Sequence, residues 1–325
     1  MEPEALRFDG DVVAITGAGR GMGREYALLL ARRGARVIVN DIDADRARDA
    51  VAAVEEVNGT ALVDTSDVSD PVQTDALVAA AVAKWGRIDA IINNAATYGG
   101  ALPDPEVTGR TLDVHLVATI NLVRSAMPVF RQRQYGRILN IGSGSMFGLP
   151  GDAIYAAGKG GVFGFTKALA ANLAQDKSCD IRANVMLPAA FRDGMINVTD
   201  PELNDIIQNV FALANVAPLA MLLVHSACPS SGEAIQVGGG RHARVILATT
   251  EGWQAPGAET TPEAILEHWD EVVANHDPRE TVGTLADLMA RRGYPDYSVA
   301  ELLDWTKTGK NPRELTGQSG TDCDA

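Results

Sequence analysis

The chain has 325 residues and a formal net charge of −14, with 46% hydrophobic and 22% charged residues. That length admits one large α/β domain plus an appendage, or two small domains, and the composition is that of a globular chain, not a disordered one. An acidic chain without a basic run excludes a general nucleic-acid binder, because phosphate neutralisation needs a basic face.

Cys179, Cys228 and Cys323 are odd in number and far apart, so they form neither a disulfide framework nor a CxxC metal site, and they fit a reducing compartment. The opening MEPEALRFDG has no basic n-region and no apolar h-region. The most apolar stretch, FALANVAPLAMLLV, is too short to span a bilayer and contains Asn215 and Pro218. These features predict a cytoplasmic protein with no membrane association.

In chain order, the apolar runs VVAIT (12–16), RVIVN (36–40), IDAIINN (88–94), GRILNIG (136–142) and RANVMLP (182–188) predict buried strands. The segments between them are long enough for crossover helices, which implies βαβ units and a doubly wound, Rossmann-type parallel sheet. Asp70 and Pro71 predict the cap and first turn of a helix that runs to Trp85. After IQVGGGRHARV the alternation stops. The expected division is therefore a dinucleotide-binding catalytic domain over 1–240 and a mostly helical C-terminal extension over 241–325. In that extension Thr260 and Glu263 have capping-box spacing, and Ile265, Trp269 and Val272 or Val273 share one helix face.

The most informative stretch is VVAITGAGRGMGREYALLLARRGARVIVND. A strand enters Gly17, Gly19, Gly21 and Gly23, a helix follows, and a second strand ends at Asp41. Glycines let a pyrophosphate approach the backbone at a helix N-terminus, where unpaired N–H groups favour anions. Asp41 is suited to accept hydrogen bonds from adenosine ribose hydroxyls and to repel a 2′-phosphate, which favours NAD; Arg20 in the loop keeps NADP as the alternative. The acidic run DIDAD (41–45) is not a calcium loop, because no glycine stands at its sixth position and Ala52 occupies the twelfth, so no metal is expected.

Thr16-Gly17-x-x-x-Gly21-x-Gly23, Asp67-Val68, NNAA at 93–96, Ser143 and Tyr155-x-x-x-Lys159, taken in that order, resemble the short-chain dehydrogenase/reductases. The resemblance implies a nicotinamide cofactor and hydride exchange at an alcohol or ketone. Its cofactor site would comprise Gly17, Gly19, Arg20, Gly21, Met22, Gly23, Asp41, Asp67, Val68, Asn94, Ala95, Ala96 and Pro188, together with Tyr155 and Lys159. In the family pattern Tyr155 exchanges the proton, Lys159 holds the nicotinamide ribose and Ser143 hydrogen-bonds the substrate oxygen. Spacing of i, i+4 sets Tyr155 and Lys159 on one helix face, so the ammonium is expected to lower the phenol pKa by roughly 1 to 3 units. Ser143 stands one residue closer to Tyr155 than the family has it, which makes Ser145 the second candidate. His115 holds the position of the family's catalytic asparagine, with a water-positioning role expected.

ALRFDGDVVAITGAGRGMGREYAL, VIVND, VHL, NVAPL, SGEAIQVGGG and TPEAILEHW further resemble the (3R)-hydroxyacyl-CoA dehydrogenase part of peroxisomal multifunctional enzyme type 2 and its free-standing bacterial relatives. That resemblance implies a 3-hydroxyacyl-CoA substrate. An uncharged lipophilic alcohol or ketone is the second reading, and a non-catalytic dinucleotide-binding sensor the third. Arg241, His242 and Arg244 are the expected basic cluster for CoA phosphates. Tyr98, Ser145, Met146, Phe147, Phe191 and Met195 are expected to line the substrate pocket, in loops at the C-terminal edge of the sheet. Family likeness also implies a homodimer or homotetramer through helices holding 112–132 and 155–175. His225 and Cys228 are expected to be structural.

Overall fold

The computed structural model describes residues 5–98, 100, 104–148, 150–190, 204, 209–255, 260–281 and 301. The chain divides into two compact units, Met1–Val245 and Ile246–Ala325. In the first, strands β1 (Val12–Thr16), β2 (Arg36–Asn40), β3 (Thr60–Asp64), β4 (Ala90–Asn93), β5 (Tyr135–Ile141), β6 (Asp180–Pro188), β7 (Ala234–Gly238) and β8 (Arg241–Arg244) form one sheet in the order β3-β2-β1-β4-β5-β6-β7-β8. Every pairing is parallel except β7 with β8. Crossovers run outward from β1 in one direction and from β4 in the other, so the connections diverge at the β1/β4 boundary and open a crevice there, at the C-terminal ends of the strands.

Strand side chains alternate between two apolar layers. Val13, Ile15, Val37, Val39 and Ile92 belong to one core cluster with Tyr26, Ala27 and Leu30 of helix α1 (Gly21–Arg32). Val12, Ala14, Ile38, Ile91 and Ile138 belong to another, with Leu77 of α3 (Pro71–Trp85) and Leu122 and Phe130 of α5 (Ala118–Arg133). Burial on both faces is why these strands appear as continuous apolar runs. The remaining helices of this unit that matter to the site are α2 (Ala44–Glu56), α4 (Pro105–Leu112) and α6 (Ala153–Leu173). A π-helical turn, Asp113–Val117, joins α4 to α5. Among the described residues no helix is long and apolar enough to cross a membrane.

Asp70 caps α3 as expected, its carboxylate accepting from the Val72 amide at 2.8 Å ahead of Pro71. Residues Arg241–Arg244, assigned from sequence to the extension, pair with β7 as an edge strand of the first unit. In the second unit the cap is Thr261, not Thr260: its hydroxyl accepts from the Ala264 amide at 3.2 Å and opens a helix over Pro262–Glu267. A break at His268 separates that helix from the turn Trp269–Val272. Two-residue strands, Ala248–Thr249 and Arg279–Glu280, pair antiparallel.

Candidate active site

The crevice at the β1/β4 boundary is laced together by two side chains. Thr16 Oγ1 accepts from the amides of Asn94 and Ala95, both at 3.0 Å, while Asn94 Nδ2 donates to the carbonyls of Thr16 at 2.9 Å and Gly17 at 3.1 Å. This holds the end of β4 against the glycine loop. Gly17 has φ +61°, and a Cβ there would lie 2.9 Å from Ala95 Cα. A Cβ at Gly23 would lie 2.5 Å from the Gly17 carbonyl oxygen, so both positions exclude any side chain. Helix α1 begins with no side-chain cap from Arg20 and no acid in its first turn, which leaves its N-terminal amides for a ligand. That donor set fits the diphosphate of a dinucleotide.

A cleft of about 400 Å³ runs from this loop and is lined by Gly17, Arg20, Gly21, Met22, Asp41, Asp67, Val68, Asn94, Ala95, Ala96 and Tyr98, all anticipated from sequence. Gly19 and Gly23 pack behind it, and Ala190 lines it in place of Pro188. Asp41 is buried at the end of β2, its two oxygens accepting from the amides of Gly19 at 3.1 Å and Asp43 at 3.0 Å. Asp67 accepts from the Ser69 hydroxyl at 2.6 Å and from Arg110 at 2.9 Å. Burial pushes the Asp67 carboxyl up, but those hydrogen bonds outweigh it and hold the group below its ordinary value. Arg46 and Arg110 also line the cleft, and sequence reasoning missed both. Arg46 lies in the first turn of α2, paired to Asp43 at 3.1 Å. Arg110 is 43 residues from its partner, a separation that leaves no local pattern.

The catalytic candidates are brought together by β5 and α6. Asp152 caps α6, accepting from the Tyr155 amide at 3.1 Å. A buried chain ties this helix to the sheet: Asn93 Nδ2 donates to Asn140 Oδ1 at 2.8 Å, and Asn140 Nδ2 donates to Thr166 Oγ1 at 2.9 Å. Ser143, in extended backbone just after β5, is near enough to Tyr155 to oppose the rise that burial imposes on the phenol pKa. Its oxygen also accepts from the Ser145 amide at 3.1 Å and donates to the Ser145 hydroxyl at 3.0 Å. The shortened loop thus still presents Ser143 to Tyr155, with Ser145 one hydrogen bond behind.

Lys159 is 2% exposed and donates to the Ile141 carbonyl at 2.6 Å, with Nζ 5.7 Å from the centroid of the Tyr155 ring. Burial lowers its own pKa to about 8. The expected acidification of the phenol is corrected here: burial raises the Tyr155 pKa, Ser143 opposes that rise, and Tyr98 and Asp152 add to it. The ammonium faces the Ile141 carbonyl instead of the phenol oxygen, so desolvation prevails.

His115 occupies the π-helical turn, 1% exposed, with Nδ1 unpartnered among the described residues. Its Nε2 lies 3.0 Å from the Thr97 amide and 2.7 Å from the Thr97 carbonyl. Burial, reinforced by Lys159, lowers its pKa to about 3 against the favourable Thr97 contact, so the ring is neutral.

Of the apolar substrate candidates, Met146 packs against the core cluster that contains Val162, Phe163 and Leu187, whereas Phe147 is largely exposed. Phe191 and Met195 lie outside the described residues. The basic cluster does not form as one patch. Strand alternation in β8 turns Arg241 to one face and His242 and Arg244 to the other, and Arg244 pairs with Glu233 at 2.6 Å. Arg241 opposes Gly238, next to the pair of Val237 with Pro188, and so lies at the C-terminal edge of the sheet. His225 is structural: Nδ1 accepts from the Ala227 amide at 3.0 Å and Nε2 donates to the Arg7 carbonyl at 2.9 Å. No group of three potential metal ligands occurs among the described residues.

The family described as short chain dehydrogenase matches residues 11–203. The chain belongs to that family. The short-chain dehydrogenase/reductase assignment makes it an oxidoreductase with a Rossmann-type sheet. It is 33% identical over 327 residues to peroxisomal hydratase-dehydrogenase-epimerase of Neurospora crassa, covering 95% of this chain and 34% of that protein. It is 33% identical over 289 residues to peroxisomal multifunctional enzyme type 2 of Mus musculus, covering 82% of this chain and 37% of that one. The chain thus spans little more than a third of these relatives. A short chain dehydrogenase from Mycobacterium avium superposes with a TM-score of 0.73 at 28% identity, covering 85% of this chain and 98% of its own. The expectation of a cytoplasmic protein is overturned by these relatives, which are named peroxisomal. Free Cys179 and Cys228, and a lack of long apolar helices among the described residues, do not distinguish one compartment from the other.

Proposed function

We propose that the protein is an NAD-dependent dehydrogenase that interconverts a secondary alcohol and a ketone, with a 3-hydroxyacyl-CoA as substrate. The observation that carries the reading is the grouping of Ser143, just after β5, with Tyr155 and buried Lys159 on α6, while the glycine loop and Asp41 line the cleft. Bound NAD supplies the hydride acceptor. The α1 amides would hold its diphosphate, Asp41 its adenosine ribose, and Asp67 and Val68 its adenine.

Ser143 orients the substrate oxygen and stabilises charge as it develops there, and Tyr155 takes the hydroxyl proton in oxidation and returns it in reduction. Lys159 holds the nicotinamide ribose, and its charge favours the tyrosinate once the site is filled. His115 positions its surroundings while neutral. The acyl-CoA assignment is supported by the relatives, a peroxisomal hydratase-dehydrogenase-epimerase and the peroxisomal multifunctional enzyme type 2 that the sequence resembles. Arg241 is the candidate phosphate partner. NAD is preferred because Asp41 stands where a 2′-phosphate would meet a carboxylate.

CoA thioesters and lipophilic alcohols, each with NAD and NADP, followed at the nicotinamide absorbance, test the assignment. Tyr155→Phe is expected to lower kcat by about 10²- to 10⁴-fold with cofactor affinity retained; undiminished turnover would remove the mechanism. We also propose a homodimer or homotetramer through α5 and α6, which together line a groove where Val123, Met127, Phe165, Leu169 and Leu173 are flanked by Arg124, Arg131 and Asp176. Phe165→Glu is expected to lower the sedimenting mass, and an unchanged mass would argue for another interface.

A further inference from the structure

We propose that Tyr98 and His115, joined through the backbone of Thr97, form an aromatic brace that fixes the ring of Tyr155, so that both are positioning residues for proton transfer. This rests on the role given to Tyr155 above and adds to it.

Two rings meet that of Tyr155. His115 approaches edge-on, with centroids 4.8 Å apart and planes at 78°. Tyr98 stacks on it, with centroids 5.6 Å apart and planes at 14°. Both arrangements suit the quadrupole of an aromatic ring. The two flanking rings are themselves connected, because His115 Nε2 is within hydrogen-bond distance of the Thr97 amide and carbonyl, and Thr97 precedes Tyr98. Its seat against α6 depends on Gly158, where a Cβ would lie 3.0 Å from His115 Cβ. Gly158 follows Tyr155 by three residues on the same helix, one turn along. Contacts therefore close a circuit from Tyr155 to His115, Thr97, Tyr98 and back.

The brace has work to do because Lys159 is engaged with the Ile141 carbonyl and does not tether the phenol. Around the phenol stand Ser143, Tyr98, Asp152, His115 and Lys159, of which Lys159 is the cation and Asp152 the carboxylate. A neutral His115 acts through its ring and its Thr97 bonds, without carrying charge. Tyr98 is 68% exposed, so its outer face forms the rim past which a substrate reaches the phenol.

The test uses protein with isotope-labelled tyrosine rings, in which the Tyr155 signal is assigned by its loss in Tyr155→Phe. Tyr98→Leu is expected to shift that signal and speed the flipping of the ring, and Tyr98→Phe to restore both; neither measurement needs substrate or cofactor. In turnover, Tyr98→Leu and His115→Leu should each lower kcat about tenfold with KM little changed, and the double variant should lose no more than either alone. An unmoved Tyr155 signal in Tyr98→Leu, or fully additive losses, would overturn the brace. Tyr98 lies at the surface, so its variants decide the matter should His115→Leu fail to fold. If the wild-type protein oxidises no alcohol, the proton-transfer reading fails while the ring signals still report on the brace.

Discussion

Lys159 is the side chain where stability and chemistry oppose each other most directly. Its ammonium is buried with one protein acceptor, and its pKa falls from 10.5 to about 8. Between those values the unfolded chain binds the proton more tightly than the folded one, so stability rises with pH from about 8 to about 10.5. Below pH 8 the folded protein carries the full cost of the buried charge, of the order of 3 kcal/mol. Lys159→Met is therefore expected to raise stability at pH 7 by about 1–3 kcal/mol, less whatever the orphaned Ile141 carbonyl costs, and to flatten the rise above pH 8. Denaturant titration at pH 7 and pH 9.5 measures both effects, and the same variant should lose turnover. A wild-type stability that falls between pH 8 and 10 would contradict the sign.

At the scale of elements, α6 holds its chemistry because a buried polar chain fixes it to the sheet. Asn140, the penultimate residue of β5, is at 0% exposure and bridges Asn93 to Thr166. Asn140→Ala would leave a buried amide and a buried hydroxyl short of partners, at a cost of about 2–4 kcal/mol. Because α6 also carries Tyr155 and Lys159, kcat should fall in the variant while it remains folded, which thermal unfolding and turnover on one sample would establish. The sequence disclosed much of this frame. β1 and β2 were legible to the residue, since burial on both faces gives uninterrupted apolar runs. β3, only half-buried, lacks such a run, and β8 is an exposed edge strand of mostly polar residues. The glycine loop, Ser143, Tyr155 and Lys159 stand out in the sequence because the chemistry proposed for them demands fixed residue types at fixed spacing. Arg46, Arg110 and the Tyr98 stack were not, because each depends on how distant segments approach. The phenol's pKa direction was misjudged because helix spacing gives the separation of Tyr155 and Lys159 but not the acceptor that the ammonium chooses.

For the molecule as a whole, a formal charge of −14 is a problem for an enzyme proposed to take a CoA thioester. Like-charge repulsion over a Debye length of about 8 Å slows the encounter with an anionic substrate, and salt relieves it. Of the two arginines in β8, the one at the C-terminal sheet edge that can offset this locally is Arg241, because Arg244 faces the other way and is paired with Glu233. Raising ionic strength from about 0.01 to 0.1 M, which shortens the Debye length from roughly 30 to 10 Å, should therefore increase kcat/KM for a 3-hydroxyacyl-CoA. An uncharged secondary alcohol should show no such gain. Arg241→Glu should steepen the salt dependence for the thioester alone, through KM, since the substitution adds repulsion where the phosphates are proposed to dock. Equal salt responses for the two substrates, or an Arg241→Glu effect on both, would separate the dehydrogenase chemistry from the CoA assignment and leave the uncharged lipophilic alcohol as the substrate class to pursue.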